Sequence, residues 1–398
     1  MVMKKLIAIS VVFALVVGTA FAVDVGGNVI GTVNVLEGSS VKDSKVQSSA
    51  TMNRIRFEGS GENEDGTFGG WARFQPDWGS GGPDWGNPPQ VWGLAWWKPI
   101  EQVKFTIGGN PDGFYGKEGV TGWMFYQMIS DTGVVNPNSV WYSAGSHYSD
   151  SGIPDPSDPS IKVGEFDFGL QYRNAFYGGF GSPAAHLTIS PAEIVDINIA
   201  IPFWNGGETG DVFASTHAQL DLKLDFGNIA ITYAGATMKG YDQPTLFAYF
   251  GLGAIENLGL DIGLGFTFPN EDETSNPIAA GLGVKYAFSD TFGIKFRTVL
   301  SFGGEETDPF QVMADLLPYF AVSDKLKVFL SAGLGMTSPD EGDSIVGFHI
   351  NPYIEVGNEW GPTFYAGFQL SSSGVKNPLN EDNAIVKWAV PVAIGISF

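Results

Sequence analysis

From residue 183 to the C-terminus one pattern repeats: a large apolar residue at every second position, with small or polar residues between. A period of two marks a strand, whose successive side chains point to opposite faces. Residues 193–203 set Val195, Ile197, Ile199, Ile201 and Phe203 opposite Asp196 and Asn198. In 213–226, Leu220, Leu222, Leu224 and Phe226 alternate with His217, Gln219, Asp221, Lys223 and Asp225. In 258–268, Leu260, Ile262, Leu264 and Phe266 face away from Asp261 and three glycines. Residues 292–302 oppose Ile294, Phe296 and Leu300 to Lys295 and Arg297, and 346–356 oppose Phe348, Ile350 and Ile354 to His349, Asn351 and Glu355. The final segment carries Trp388, Val390, Val392, Ile394, Ile396 and Phe398 on one face and only small residues or proline on the other.

The N-terminal third is patterned in the same way. Val25, Val29, Val33 and Val35 share a face; Ile55 and Phe57 oppose Arg54, Arg56 and Glu58; Phe68, Ala72 and Phe74 oppose Arg73. Residues 91–97 place Trp92, Leu94 and Trp96 on one apolar face, and 103–109 place Val103, Phe105 and Ile107 opposite Lys104. No charged residue falls on the apolar face of these segments. Alternation alone does not say which face is outward. A lipid-facing wall demands a charge-free face, because Arg or Lys at the bilayer midplane costs about 2–4 kcal/mol.

The connections supply a second signal. Short turns at Pro99-Ile100, Ser190-Pro191, Gly227-Asn228, Glu256-Asn257, Ser289-Asp290, Ser323-Asp324 and Asn358-Glu359 alternate with longer polar links. Outer-membrane barrels have short periplasmic turns and longer outer loops. Counting back from Phe398 gives thirteen strands to residue 183, and five more lie between Val23 and Gly109. The expected fold is therefore all-β: a transmembrane antiparallel up-and-down barrel of about 18 strands, with 16 or 20 as alternatives and both termini in the periplasm. Residues 110–182 form one long third outer loop, well beyond the roughly 12–15 residues above which loops are usually functional or disordered.

Composition agrees. Only 16% of the 398 residues are charged, against about 25% in soluble proteins, while Gly (54) and aromatics (14%) are abundant. Beyond the N-terminus no apolar run reaches the ~20 residues of a spanning helix. The absence of Cys excludes disulfides, thiolate metal sites and a lipoprotein anchor. Residues 1–22 are expected to be a signal peptide, with Lys4 and Lys5, the apolar stretch from Leu6 to Val17, and the cleavage site Ala20-Phe21-Ala22. The barrel would then occupy 23–398. A net charge of −22 argues against nucleic acid as a partner.

The final strand resembles the closing strand of bacterial outer-membrane β-barrels. There the terminal Phe is read by the barrel-assembly machinery, which implies that role for Phe398, with Ile396, Ile394 and Trp388 on the same face. Arg54-Ile55-Arg56-Phe57-Glu58-Gly59 followed by Gly69-Gly70-Trp71-Ala72-Arg73-Phe74-Gln75 is similar to the second hairpin of the general diffusion porins. Val91-Trp92-Gly93-Leu94 through Phe105-Thr106-Ile107-Gly108-Gly109 is similar to their next hairpin. Their third-loop signature is only echoed in Pro111-Asp112-Gly113-Phe114-Tyr115-Gly116. The resemblance implies a homotrimer in outer-membrane lipid, without cofactor, passing small hydrophilic solutes; the alternatives are a solute-specific channel for sugars or hydrophobic substrates on the same scaffold, and a surface adhesin or structural protein with a plugged barrel. The resemblance further implies that 110–182 folds inward, facing Asp112 and Glu118 against the pore-lining cations Arg54, Arg56, Arg73 and Lys104.

The competing expectation is that these cations solvate a wide lumen without selecting anything. Acidic residues such as Glu208, Glu271, Asp272, Glu305 and Asp340 crowd the outer loops, so a negative vestibule with weak cation preference is expected. Pro76-Asp77-Trp78-Gly79 recurs as Pro83-Asp84-Trp85-Gly86, a local turn or a contact for sugar or subunit. None of the catalytic motifs G-x-S-x-G, H-E-x-x-H or Walker A is present, and no EF-hand spacing occurs, so an enzyme or a specific calcium site is not expected.

Overall fold

The computed structural model describes residues 22–40, 45–75, 78–79, 82–83, 90–109, 184–202, 216–234, 245–268, 278–302, 310–338, 344–357, 362–377 and 383–397. Nearly all of these are strand. In chain order they are β1 (Ala22–Ser39), β2 (Gln47–Glu62), β3 (Phe68–Gln75), β4 (Gln90–Ile100), β5 (Val103–Gly109), β6 (Ala184–Ala192), β7 (Val195–Pro202), β8 (His217–Leu224) and β9 (Gly227–Ala234). The chain continues through β10 (Thr245–Leu252), β11 (Leu258–Thr267), β12 (Ile278–Ala287), β13 (Phe292–Phe302), β14 (Phe310–Ser323), β15 (Leu326–Ser338) and β16 (Ile345–Val356). Next is β17, in two pieces (Pro362–Gly367 and Gln369–Asn377), and last β18 (Asn383–Ser397).

The main sheet has 19 hydrogen-bonded segments. Both pieces of β17 lie between β16 and β18, interrupted at Phe368, so they are halves of one strand. That leaves eighteen ring positions among the described residues. Every strand pairs antiparallel with its chain neighbours, and β1 pairs with β18, with Val29 opposite Ile396 and Gly31 opposite Ile394. The sheet is a closed barrel, which removes every open edge.

The outward face is apolar. Ile197, Ile199, Leu220, Ile231, Ile262, Leu264, Leu334, Ile350, Ile354, Val392, Ile394 and Ile396 are all exposed, Leu264 at 54%. The inward face holds the buried polar groups, among them Thr106, Asn198, Gln219, Asp221, Thr232, Lys295, Ser331 and Asn351, with His349 only 1% exposed. A soluble barrel would show the reverse arrangement. Phe105, Phe226, Phe288, Phe292 and Phe320 are exposed near the short-turn end of their strands, where membrane barrels carry an aromatic girdle.

Several details differ from the sequence expectation. Pro99 and Ile100 remain in β4, and the turn falls on 101–102; Ser190 and Pro191 remain in β6, and the turn falls on 193–194. Both prolines fall at irregularities of the ladder, between Trp97 and Ile100 and between Ile189 and Ala192, where a missing ladder donor is tolerated. A bulge in β1 at Asn34/Leu36 moves the outward face from Val33 to Leu36, opposite Val390, and Gly38 then sits opposite Trp388. The largest correction concerns β4. Trp97 is exposed, with Gly93 and Ala95 of the same parity, and it faces Phe68 and Phe105 on the neighbouring strands, both exposed as well. Residues 92, 94 and 96 therefore lie on the inward face, not the lipid face. The alternation there is ambiguous because Trp97 is as large and apolar as Trp96. Lys98, one residue beyond the patterned stretch, shares the parity of Trp96 and marks the water side.

Candidate lumenal site

The inner wall of β2–β5 is built by register. Glu58 pairs with Arg73, and Arg73 with position 92; Trp71 pairs with Leu94, Gly69 with Trp96, and Trp96 with Thr106. Partners across a ladder share a face, so these residues line one continuous patch. Arg73 is 5% exposed, and its Nε donates to Glu58 Oε1 at 2.7 Å. Its guanidinium also lies 4.9 Å from the Trp71 ring centroid. The Trp96 indole covers Gly69, where a Cβ would approach its ring to 2.5 Å. That close approach requires glycine at 69. Over the same Trp96 ring stand two ammonium groups, Lys98 Nζ and Lys104 Nζ, each 5.0 Å from the centroid.

Beside it, the wall continues as a polar ladder. Lys104 is opposite Thr188, and Thr106 is opposite His186. Thr188 Oγ1 donates to Asn198 Oδ1 at 2.8 Å, and Asn198 Nδ2 donates to Asp221 Oδ2 at 3.0 Å. From the other side Thr232 Oγ1 donates to Gln219 Oε1 at 2.9 Å, and Gln219 Nε2 donates to both Asp221 oxygens at 2.8 and 2.9 Å. The bonds run towards one carboxylate, itself 2% exposed. Nearer the short-turn end, Asp196 accepts from Ser190 and pairs with Lys223. Leucine at Asp221 removes the acceptor for two amide donors, and each loss costs about 1–3 kcal/mol. Urea titration of barrels folded in lipid vesicles should place Asp221→Leu below the parent by at least that amount.

Across the lumen the wall changes character. Leu317 of β14, Phe329 of β15, Tyr353 of β16 and Tyr365 of β17 form a buried inward cluster with Tyr319 beside it. Phe329 and Tyr353 stack at 4.8 Å with planes 10° apart. Above them Ser331 Oγ and His349 Nε2 are hydrogen-bonded at 3.1 Å.

Of the residues singled out from the sequence, Arg73 and Lys104 do line one inner wall, with one strand between them. Arg54 and Arg56 lie on β2 with the parity of Glu58, opposite Ile30 and Asn28 of β1; their side chains fall outside the described residues. Asp112, Glu118 and the loop 110–182 also fall outside them, as does Phe398. Ile394, Ile396 and Trp388 lie on the seam strand β18, and the Trp388 ring covers Gly38 of β1. The expected basic patch is not purely basic, because Glu58 neutralises Arg73. Trp96 joins this patch from the face opposite to the one its sequence pattern suggests, and Trp71 and Lys98 join it with no role assigned from the sequence. The first repeat of Pro-Asp-Trp-Gly forms a two-residue ribbon with the start of the second, Trp78 opposite Pro83.

Glu58 is the carboxylate bridged to Arg73 on this patch, and Glu62 shares its face opposite Gly69. Glu58→Gln should shift the reversal potential in a potassium chloride gradient towards chloride, by on the order of twofold in the permeability ratio.

The sequence matches no protein-family model and no curated protein. Solved structures do resemble it in fold. The outer-membrane channel DcaP of Acinetobacter baumannii superposes with a TM-score of 0.51 at 10% identity, over 96% of this chain and 98% of that one. The anion-selective porin from Comamonas acidovorans gives 0.51 at 12% identity, over 95% and 100%. A loop-deletion mutant of OmpT, an outer membrane protein of Vibrio cholerae, gives 0.50 at 11% identity, over 95% and 100%. The chain thus has the fold of an outer-membrane porin-like β-barrel.

Proposed function

We propose that the protein is an outer-membrane channel for passive diffusion of small hydrophilic solutes and ions. One observation carries this reading: the face turned to the surroundings is apolar around the ring, while buried carboxylates, amides, hydroxyls and cations line the inside. Such a wall is stable only with hydrocarbon outside and polar contents within. Export by the signal peptide 1–22 and assembly through the C-terminal face of β18 belong to the same proposal, as does a homotrimer in outer-membrane lipid. The acids of the third loop, Asp112 and Glu118, would narrow the lumen from the side facing Arg73 and Lys104. No catalytic role is assigned to any residue.

Single-channel recording in planar bilayers tests the reading: purified protein should give stepwise conductance, and its absence would reduce the barrel to an anchor. A second reading, a solute-specific channel, is favoured by the Trp96–Lys98–Lys104 arrangement on the inner wall. Liposome swelling with a size series separates the two. A general pore discriminates by size alone, and a specific one saturates with its solute.

A further inference from the structure

From the inner wall of β3–β5 we infer that the channel holds a binding site for aromatic anions, formed by the ammonium pair of Lys98 and Lys104 and the apolar surface of Trp71 and Leu94. The inference rests on the channel reading and names a solute class for it.

Three features carry it. First, both ammonium groups are positioned by a ring, each 5.0 Å from the Trp96 centroid, and among the described residues neither lies within salt-bridge distance of a carboxylate. Glu62, across Gly69 on the same rung, acts on Lys104 only at longer range. A π face attracts a cation through its quadrupole but leaves the formal charge uncancelled. Lys223 and Lys327, elsewhere on the inner wall, are each bridged to a carboxylate. Acids outnumber bases 43 to 21 in this chain, so unpaired lysines here do not reflect a shortage of partners. Two like charges drawn to one ring repel each other, and an anion between them relieves that repulsion.

Second, the wall next to the two ammonium groups is apolar, between the Glu58–Arg73 pair on one side and the polar ladder that ends at Thr232 on the other. Trp71 and Leu94 are cross-strand partners on the inward face, one rung from the Gly69–Trp96 pair. An inward leucine and indole gain by covering from a flat apolar body. Third, the frame is fixed. The Trp96 ring is seated on Gly69, and Arg73, stacked on Trp71, is tied to Glu58. The site needs no rearrangement to accept a ring with a charge at one end, and such preorganisation favours binding.

Benzenesulfonate, benzenesulfonamide and methanesulfonate separate charge from ring in a planar-bilayer assay. Benzenesulfonate should lower potassium current saturably, and the neutral ring and the ringless anion should each do so at least about tenfold more weakly. Lys98→Gln and Lys104→Gln should each weaken the benzenesulfonate block by about tenfold or more. Lys327→Gln, the same charge change at a bridged lysine on β15, should leave it unchanged. Heat-modifiable migration checks that each variant is folded. Open channels without saturable block, equal block by methanesulfonate, or equal loss in all three variants would overturn the site while leaving the channel intact. Wild-type protein without any conductance would overturn the channel and this inference together.

Discussion

Arginine at Leu264 should destabilise the folded barrel in lipid by about 2–4 kcal/mol. Leu264 is 54% exposed near the middle of β11, paired with Ala248 and Ala280 on the flanking strands. If this face met water, the substitution would be a surface change worth about 0.5 kcal/mol or less. If it met hydrocarbon, the guanidinium would carry the full cost of entering the bilayer. Leu264→Ala separates lost apolar area from added charge. Urea midpoints of the variants folded into vesicles read the difference, and only the arginine should approach the midplane penalty.

Alanine at Gly227 should be nearly as damaging, through the backbone. Gly227 opens β9 straight after the turn from β8, with φ at +157°. A Cβ there would stand 1.9 Å from the carbonyl oxygen of Gly251 and 3.1 Å from Cα of Leu252, both backbone atoms of β10. Neither can swing aside like a side chain, so the pairing of Gly227 with Leu252 must open. Backbone strain of this kind costs about 1–3 kcal/mol before any ladder bond is lost. Gly253, whose Cβ would meet nothing within 4 Å, is the matched control, and Gly253→Ala should be close to neutral. Folding yield and urea midpoint should fall for the first variant alone.

Much of the architecture could be read in the sequence wherever one parity was large and the other small or polar. β18 shows this best: Ile394 and Ile396 face out while Pro391 and Gly395 are buried on the inner side. In β8, Leu220 faces out and Gln219 and Asp221 face in, as their polarity requires. Legibility failed where both parities were bulky. In β4 the pairing with Phe68 and Phe105 settles that Trp97, not Trp96, faces outward. Lys98 was the available signal, since no ammonium sits on a hydrocarbon face without cost. The bulge in β1 was hidden for a different reason. A slip of one residue moves every later side chain of the strand to the opposite face, and Val33, Val35 and Leu36 are apolar on both sides of it.

The site was half legible. Arg73 and Lys104 could be placed on one wall by parity, but what each one touches depends on register. Glu58 meets Arg73 because β2 and β3 align them, and no spacing within either strand announces it. The Trp96–Lys104 contact likewise joins two strands. Its only local trace is Gly69, which leaves room for the indole.

Nitroxide labels at residues 263 and 264 test the account most directly. The chain has no cysteine of its own, so each single-cysteine variant carries one label. The two positions share one level of β11 and point to opposite faces. In lipid vesicles the label at 264 should relax with dissolved oxygen and be shielded from a water-soluble nickel chelate, and the label at 263 should lack that oxygen-rich signature. A label at 264 that is open to the chelate, or shut off from both reagents in a dry protein interior, would contradict the account.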